Sequence, residues 1–309
     1  VAEGVTATPV GVDARSHARA ELGLLLVVLI WGANFAVIKW ALLEIPPYAF
    51  SAIRFSCSAL CLCALAWYQE GPPRFPPGTT RRLIWLGIAG NTVYQALFMI
   101  GLTHTSVGNV ALLVGCSPVL VALLGWLTGL ERLSRPVVWG IVIAFAGIAL
   151  VVGVHGPEFS RRTLLGDLSV LLASLGWASY TLGVRTISGQ VSTLWLTAAT
   201  TLTGTPLLLL LGGPQLLELD WGGLSLRTWL ALAYTILLSL VFAYHIWNVS
   251  IRLVGSARTA IFGAGVPVVG VLLAWPLLGE RPRLVQLIGA ALIVTGVLLA
   301  RRREAPLEG

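Results

Sequence analysis

The chain has 309 residues, 57% of them hydrophobic and only 11% charged, with a net charge of +7. A soluble domain is roughly 25% charged, so a single soluble globular enzyme is excluded. The mean hydropathy of +0.87 excludes a disordered chain as well, because disorder needs low hydrophobicity. An integral membrane protein remains.

Residues 1–20 are small, polar and mildly charged, and read as a flexible cytoplasmic tail. A membrane-spanning helix needs about 20 mostly apolar residues. That ruler predicts ten helices in chain order, over residues 22–43, 48–68, 82–102, 107–129, 136–154, 165–186, 193–212, 228–250, 256–278 and 284–300. The first is too long for a signal-peptide core and no small-residue cleavage site clearly follows, so it reads as a retained helix. Turn chemistry separates the runs: Pro46-Pro47, then Gly71-Pro72-Pro73 to Pro76-Pro77-Gly78, Glu131 to Pro136, Gly212 to Gly223, and Glu280-Arg281-Pro282. On this threading 13 arginines fall on the N-terminal side of the membrane and 5 on the other. By the positive-inside rule both termini are cytoplasmic, and residues 304–309 form a second cytoplasmic tail.

The chain repeats itself. At an offset of 149, Ala111 pairs with Ala260, Pro118 with Pro267, Glu131-Arg132 with Glu280-Arg281, Gly140 with Gly289 and Gly147 with Gly296. At an offset of 146, Glu21 pairs with Asp167, Trp31 with Trp177 and Lys39 with Arg185. The predicted fold is therefore all-α and integral to the membrane: ten transmembrane helices as two five-helix repeats, over residues 21–155 and 156–303, around a central cavity. Five is odd, so the second repeat enters from the opposite face and the two are inverted. Inverted repeats are the common construction of secondary transporters. Channels too can contain them, and a duplication without transport consequence is the plainer reading.

Polar and aromatic residues inside the spans are the candidates to meet a solute. Trp31, Asn34 and Phe35 share a face of the first span; Asn91, Tyr94, Gln95 and Phe98 make a stripe on the third. Trp177, Tyr180 and Thr181 do so on the sixth, and Tyr244, Trp247 and Asn248 on the eighth. An amide is costly in lipid and should face protein or water. The expected cavity is lined by Trp31, Asn34, Asn91, Tyr94, Gln95, Trp177, Tyr180, Tyr244, Trp247 and Asn248. The competing reading makes the amides interhelix glue and the rings part of interfacial belts. Trp67, Trp85, Trp126, Trp139, Trp221, Trp229 and Trp275, nearer span ends, fit the belts. Pro118 and Pro267 sit near the middle of matched spans and read either as paired hinges or as static kinks.

Other chemistries find no footing. The single lysine, Lys39, is followed by Trp40, so no Gly-Lys-Ser/Thr phosphate loop exists and ATP is not burned through one. No two of His17, His104, His155 and His245 lie at i, i+4, and Cys57, Cys61, Cys63 and Cys116 fall inside apolar runs. No metal, cofactor or catalytic site is expected, and the protein reads as no enzyme. The arginines punctuate apolar runs and form no basic face for nucleic acid. The 13 acidic residues all fall in tails, loops or span ends, and His245 is the ionisable candidate well inside a span. A carboxylate proton relay is thus not expected, which makes facilitated diffusion or exchange more natural than tight proton coupling. Lys39, Glu44 and Arg54 fall near one external membrane edge, where a gate and simple snorkelling or local pairing both remain open.

Residues Trp31-Gly32-Ala33-Asn34-Phe35, Lys39, Pro46-Pro47 and Arg54-Phe55 resemble the first repeat of EamA-type proteins of the drug/metabolite transporter superfamily. Gly166-Asp167-Leu168 through Trp177 resembles the start of their second repeat. Leu278-Gly279-Glu280, Gly289-Ala290-Ala291 and Gly296-Val297 resemble its end. The resemblance implies a ten-helix inner-membrane carrier, often an exporter of amino acids or other metabolites. The aromatic stripes look more particularly like the YddG-type aromatic amino acid exporters. The expected function is non-ATP export of small neutral or zwitterionic metabolites, amino acids first among them, by alternating access. A channel-like facilitator, or a membrane-embedded enzyme, is the alternative. The expected partners are a small-molecule substrate and the lipid bilayer, and a monomer is compatible with all of this.

Overall fold

The computed structural model describes residues 14–129, 135–153, 160–263 and 265–300. The expected tails over 1–13 and 304–309 and the turn at Glu131-Arg132 lie outside these residues. Among the described residues the chain is helical throughout and has no strand. The helices are α1 (Ala14–Ala41), α2 (Pro47–Glu70), α3 (Thr79–His104), α4 (Val107–Leu127), α5 (Arg135–Gly153), α6 (Arg161–Ile187), α7 (Thr193–Leu217), α8 (Leu226–Val254), α9 (Ser256–Gly263), α10 (Gly265–Leu278) and α11 (Leu284–Ala300).

Helix starts follow local chemistry. Pro47 opens α2 in the first turn, where its missing N–H costs nothing and its fixed φ is already helical. Ser106, Ser160, Ser192 and Ser225 are N-caps, each accepting from the backbone N–H three residues on. Gly71 ends α2 at φ 74°, a conformation open to glycine at no steric cost. Helix α1 begins at Ala14, so the last part of the segment expected to be a tail is helical.

Six of these helices are long and apolar enough to cross a membrane: α1 over Arg19–Ala41, and α2, α3, α4, α7 and α8 along their whole lengths. Stretches of α5, α10 and α11 are apolar but shorter. Helix α6 is 27 residues long, but Arg161, Arg162, Asp167 and Arg185 interrupt its apolar run near both ends. Ten spans were expected; six meet the measure of length and composition. Outward faces carry exposed leucines such as Leu26, Leu60, Leu172, Leu210 and Leu272. A surface so apolar is tolerated in lipid and not in water. The seven tryptophans expected in interfacial belts are all exposed. The protein is a multi-pass membrane protein.

Two helices are irregular at matching places. In α3, Ile88–Val93 widens into a π-helical segment, and in α8 Tyr234–Phe242 does the same. The starting residues Ile88 and Tyr234 are 146 positions apart, the spacing that separates Trp31 from Trp177. Helix α4 is broken by a turn at Gly115-Cys116. Pro118 therefore stands in the first turn of the resumed helix, not in mid-helix as expected; its counterpart Pro267 is helical, and residue 264 before it lies outside the described residues. Proline is at home at position 118 because no backbone hydrogen bond is forfeited there.

The packing is reciprocal. Helix α1 lies on α8 and α10, while α6 lies on α3 and α4; α2 pairs with α7, and α5 with α11. The α2–α7 pair is tied at both ends. Ser192 Oγ donates to Glu70 at one end, and at the other Gln215 Oε1 accepts from the backbone N–H groups of Tyr48 (3.1 Å) and Ala49 (3.0 Å). In the α5–α11 pair small residues interlock: Gly147 faces the backbone of Gly289 and Ile293, and Gly296 faces that of Gly140 and Ala144. Close backbone approach at small residues is how membrane helices gain contact without a hydrophobic drive.

Candidate functional site

Helices α1, α3, α6 and α8 converge on an aromatic chamber, to whose lining α2, α4, α9 and α10 also contribute. Its cavity measures about 70 Å³, enough for a few waters, since one water needs roughly 10–15 Å³ on this scale. Trp31 sits at the middle. Its ring lies 5.5 Å from Trp177, 5.7 Å from Tyr244 and 5.1 Å from Trp247. Trp177 in turn lies 5.5 Å from Tyr94 and 5.3 Å from Tyr244, and Tyr94 stacks on Phe98 at 5.5 Å. Most of these pairs are edge-on or tilted, the arrangements that ring quadrupoles favour.

The wide turns help to build this wall. Tyr94 and Gln95 follow directly on the π segment of α3, and Ser239 and Leu240 lie within that of α8. The Ser239 carbonyl accepts from Trp31 Nε1 at 3.1 Å, so the irregular backbone holds the central indole. In the same region Tyr234 Oη donates to the Ile30 carbonyl at 2.7 Å. Such π segments recur at functional sites because the extra residue re-aims the side chains around it.

Of the expected cavity residues, Trp31, Asn34, Tyr94, Gln95, Trp177, Tyr244 and Trp247 line the chamber, and so does Pro118. Asn91, Tyr180 and Asn248 do not. Asn91 Nδ2 donates to the Thr200 carbonyl at 2.7 Å, tying α3 to α7. Asn248 Nδ2 donates to Tyr180 Oη and to Thr197 Oγ1, both at 2.9 Å, tying α8 to α6 and α7. These three side chains bond across to neighbouring helices, the arrangement that the glue reading describes. Pro267 packs against Gly115, at the break of α4, instead of lining the chamber.

Lys39, Glu44 and Arg54 part company. Lys39 Nζ donates to the Leu102 carbonyl at 2.6 Å. Glu44, in the turn after α1, accepts from the backbone N–H and Oγ of Ser225 at 2.8 and 2.7 Å. These hydrogen bonds, the backbone one foremost, hold its carboxyl below the usual carboxylate range. Arg54 lines the chamber and is only 3% exposed. It lies two helical turns beyond Pro47, which is too deep for a span-end residue. Its Nη2 donates to Gln95 Oε1 at 2.7 Å, and the rings of Phe50 and Phe55 lie 5.4 Å from the guanidinium carbon. Its Nε and Nη1 are buried without a hydrogen-bond partner. None of the residues expected to line the chamber carries a charge; Arg54 does. The signal in the sequence was the position of an arginine seven residues past a helix-opening proline, inside an apolar run.

Two further groups at the chamber are unspent: Asn34 Oδ1 and Trp247 Nε1 are buried and unbonded. Buried polar atoms are nearly always satisfied, so each unspent one is a place where a guest or water can bond. His245 is half-buried on α8 and does not line the chamber. Among the described residues no three His, Cys, Asp or Glu side chains come together as metal ligands.

Comparison with known proteins places this geometry among transporters. The model of the EamA-like transporter family matches residues 18–153 and again 164–302. The uncharacterized transporter YyaM of Bacillus subtilis (strain 168) is 28% identical, over 92% of this chain and 94% of its own. A protein of Escherichia coli (strain K12) described as a probable amino-acid metabolite efflux pump is 26% identical, over 89% of this chain and 92% of its own. A solved crystal structure superposes with a TM-score of 0.64 at 21% identity, over 92% of this chain and 96% of its own, and so shares the fold.

Proposed function

The chain belongs to the EamA-like transporter family, and we propose on that footing that it is a secondary transporter exporting small neutral or zwitterionic metabolites, amino acids and especially aromatic ones, by alternating access. The aromatic chamber carries this reading: Trp31 and its counterpart Trp177 meet 5.5 Å apart where the two halves join. The Escherichia coli relative supports amino acids as the cargo class. We read the architecture as ten spans, with α9 and α10 forming one, arranged as two inverted repeats. The two matches of the family model and the exchanged packing partners support this. The arginine bias supports cytoplasmic termini and an inner, plasma-membrane location. The chamber is too small for an amino acid as it stands, so the rings must part; the break beside Pro118 is a natural hinge, and the matched position of Pro267 makes it the second.

The test is counter-transport in proteoliposomes holding the purified protein. Radiolabelled phenylalanine should enter saturably, faster when unlabelled phenylalanine is trapped inside, and with a pH dependence that His245→Ala leaves unchanged. Unsaturable flux without trans-stimulation identifies a channel. Chemical conversion without flux identifies an enzyme. Either result overturns the reading.

A further inference from the structure

We infer that the chamber selects its cargo by an organic carboxylate group and that Arg54 is the residue that receives it; the inference rests on the transporter reading of the same cavity. Burying a guanidinium is costly unless its N–H groups are bonded and its charge is met. Arg54 is 3% exposed, yet one bond, to Gln95, is all that the protein offers it. The N–H groups on Nε and Nη1 are buried in the cavity wall without an acceptor, to be reached by a guest as the rings part, and among the described residues that line the cavity there is no Asp or Glu.

The surroundings fix the guanidinium without satisfying it. Gln95 Oε1 holds Nη2, and Gln95 is itself held, its Nε2 donating to Ser51 Oγ at 3.4 Å while that hydroxyl donates to the Pro47 carbonyl at 2.9 Å. Phe50 and Phe55 flank the group with their rings 5.4 Å from the guanidinium carbon, which places it in an apolar setting. A fixed, buried, half-unbonded guanidinium fits a carboxylate, whose two oxygens take several N–H donors at once. Nothing of opposite sign lines the chamber for an ammonium group; the unspent acceptor there is the neutral Asn34 Oδ1. The chamber should therefore demand the acid and merely tolerate the amine.

The test uses purified full-length protein in nanodiscs. Binding is read by quenching of tryptophan fluorescence, with radioligand competition as a check. The probes are phenylalanine, 3-phenylpropanoate, phenylalaninamide and phenethylamine, together with leucine, 4-methylpentanoate and leucinamide. In the native protein the acids of both series should bind roughly 10- to 100-fold more tightly than the matching amides and amine. 3-Phenylpropanoate should bind no worse than phenylalanine. Arg54→Gln should erase the preference for acids, and Arg54→Lys should restore part of it. Should Arg54→Gln fail to fold, the acid-to-amide ratio of the native protein carries the test. Equal binding of acids and amides, a preference that survives in folded Arg54→Gln, or no binding of any acid to folded native protein overturns the inference. Arg54-dependent binding with no flux in proteoliposomes refutes the transport reading and leaves the carboxylate anchor standing.

Discussion

Substituting Gly147 or Gly296 by alanine tests the reciprocity on which the two-repeat reading depends. A methyl at Gly147 would lie 2.7 Å from the Gly289 carbonyl oxygen and 3.0 Å from Ile293 N. At Gly296 it would lie 2.5 Å from the Gly140 carbonyl oxygen and 2.6 Å from Ala144 N. These obstacles are backbone, so no rotamer relieves them and α5 and α11 must part until the contacts reach at least 3.4 Å. A gap of that order forfeits about a quarter to a half of the attraction of each contact along the seam. Overpacking of this kind costs about 1–3 kcal/mol. The alanine gain in helix propensity, about 1 kcal/mol in water, is blunted in a bilayer, where backbone bonds are kept in either case. Each single substitution should therefore cost about 1–2 kcal/mol. Once one methyl has parted the helices, the second meets less resistance, so the pair should cost less than the two together. Denaturant-induced unfolding of the purified protein in mixed micelles measures all three. Neutral or stabilising singles, or one costly and one silent substitution, would refute the reasoning.

Three other outcomes follow from the geometry. Trp31→Ala or Trp177→Ala removes the central ring and should lower flux of aromatic amino acids more than about 10-fold in proteoliposomes, with the folded fraction monitored by size-exclusion chromatography. Asn248→Leu removes one partner each from the hydroxyls of Tyr180 and Thr197, the latter keeping its bond to the Thr193 carbonyl, and should destabilise the protein by about 1–2 kcal/mol in thermal unfolding, leaving the KM of residual transport unchanged because Asn248 does not line the chamber. Glu44 has a depressed carboxyl pKa when folded, so its contribution is present above the unfolded value and lost as pH falls through the folded one. The native protein should thus exceed Glu44→Gln in melting temperature at neutral pH, and the difference should close as the medium is acidified.

The helices were legible because long apolar runs admit one solution in a bilayer, where backbone groups must bond within the segment. The chamber was legible in outline, since Trp31, Tyr94, Trp177, Tyr244 and Trp247 stand on stripes at helical spacing. Its edges were not. Tyr180 stacks on Trp177, yet its hydroxyl is taken up by Asn248, which also bonds Thr197 on α7, so both stand behind the chamber wall. Arg54 was misplaced for a different reason: whether an arginine is a surface or a cavity residue depends on how deep its helix has already run, and that depth is counted from Pro47. The π segments had no residue signal at all, because Ile88–Val93 and Tyr234–Phe242 read as ordinary apolar helix.

Those two wide turns have a consequence for how such a chamber can evolve. An α-helix advances about 100° per residue. A helix carrying one residue more than its regular form therefore presents everything beyond that point on a different face. Deleting a single residue between Ile88 and Val93 would swing Tyr94, Gln95 and Phe98 out of the chamber together, with every side chain still in a sound rotamer. Deleting one between Tyr234 and Phe242 would do the same to Tyr244 and Trp247. Half of the wall is thus set by whole-number changes in chain length, and the lineage could redraw its binding surface by one insertion or deletion without altering the identity of any residue that lines it.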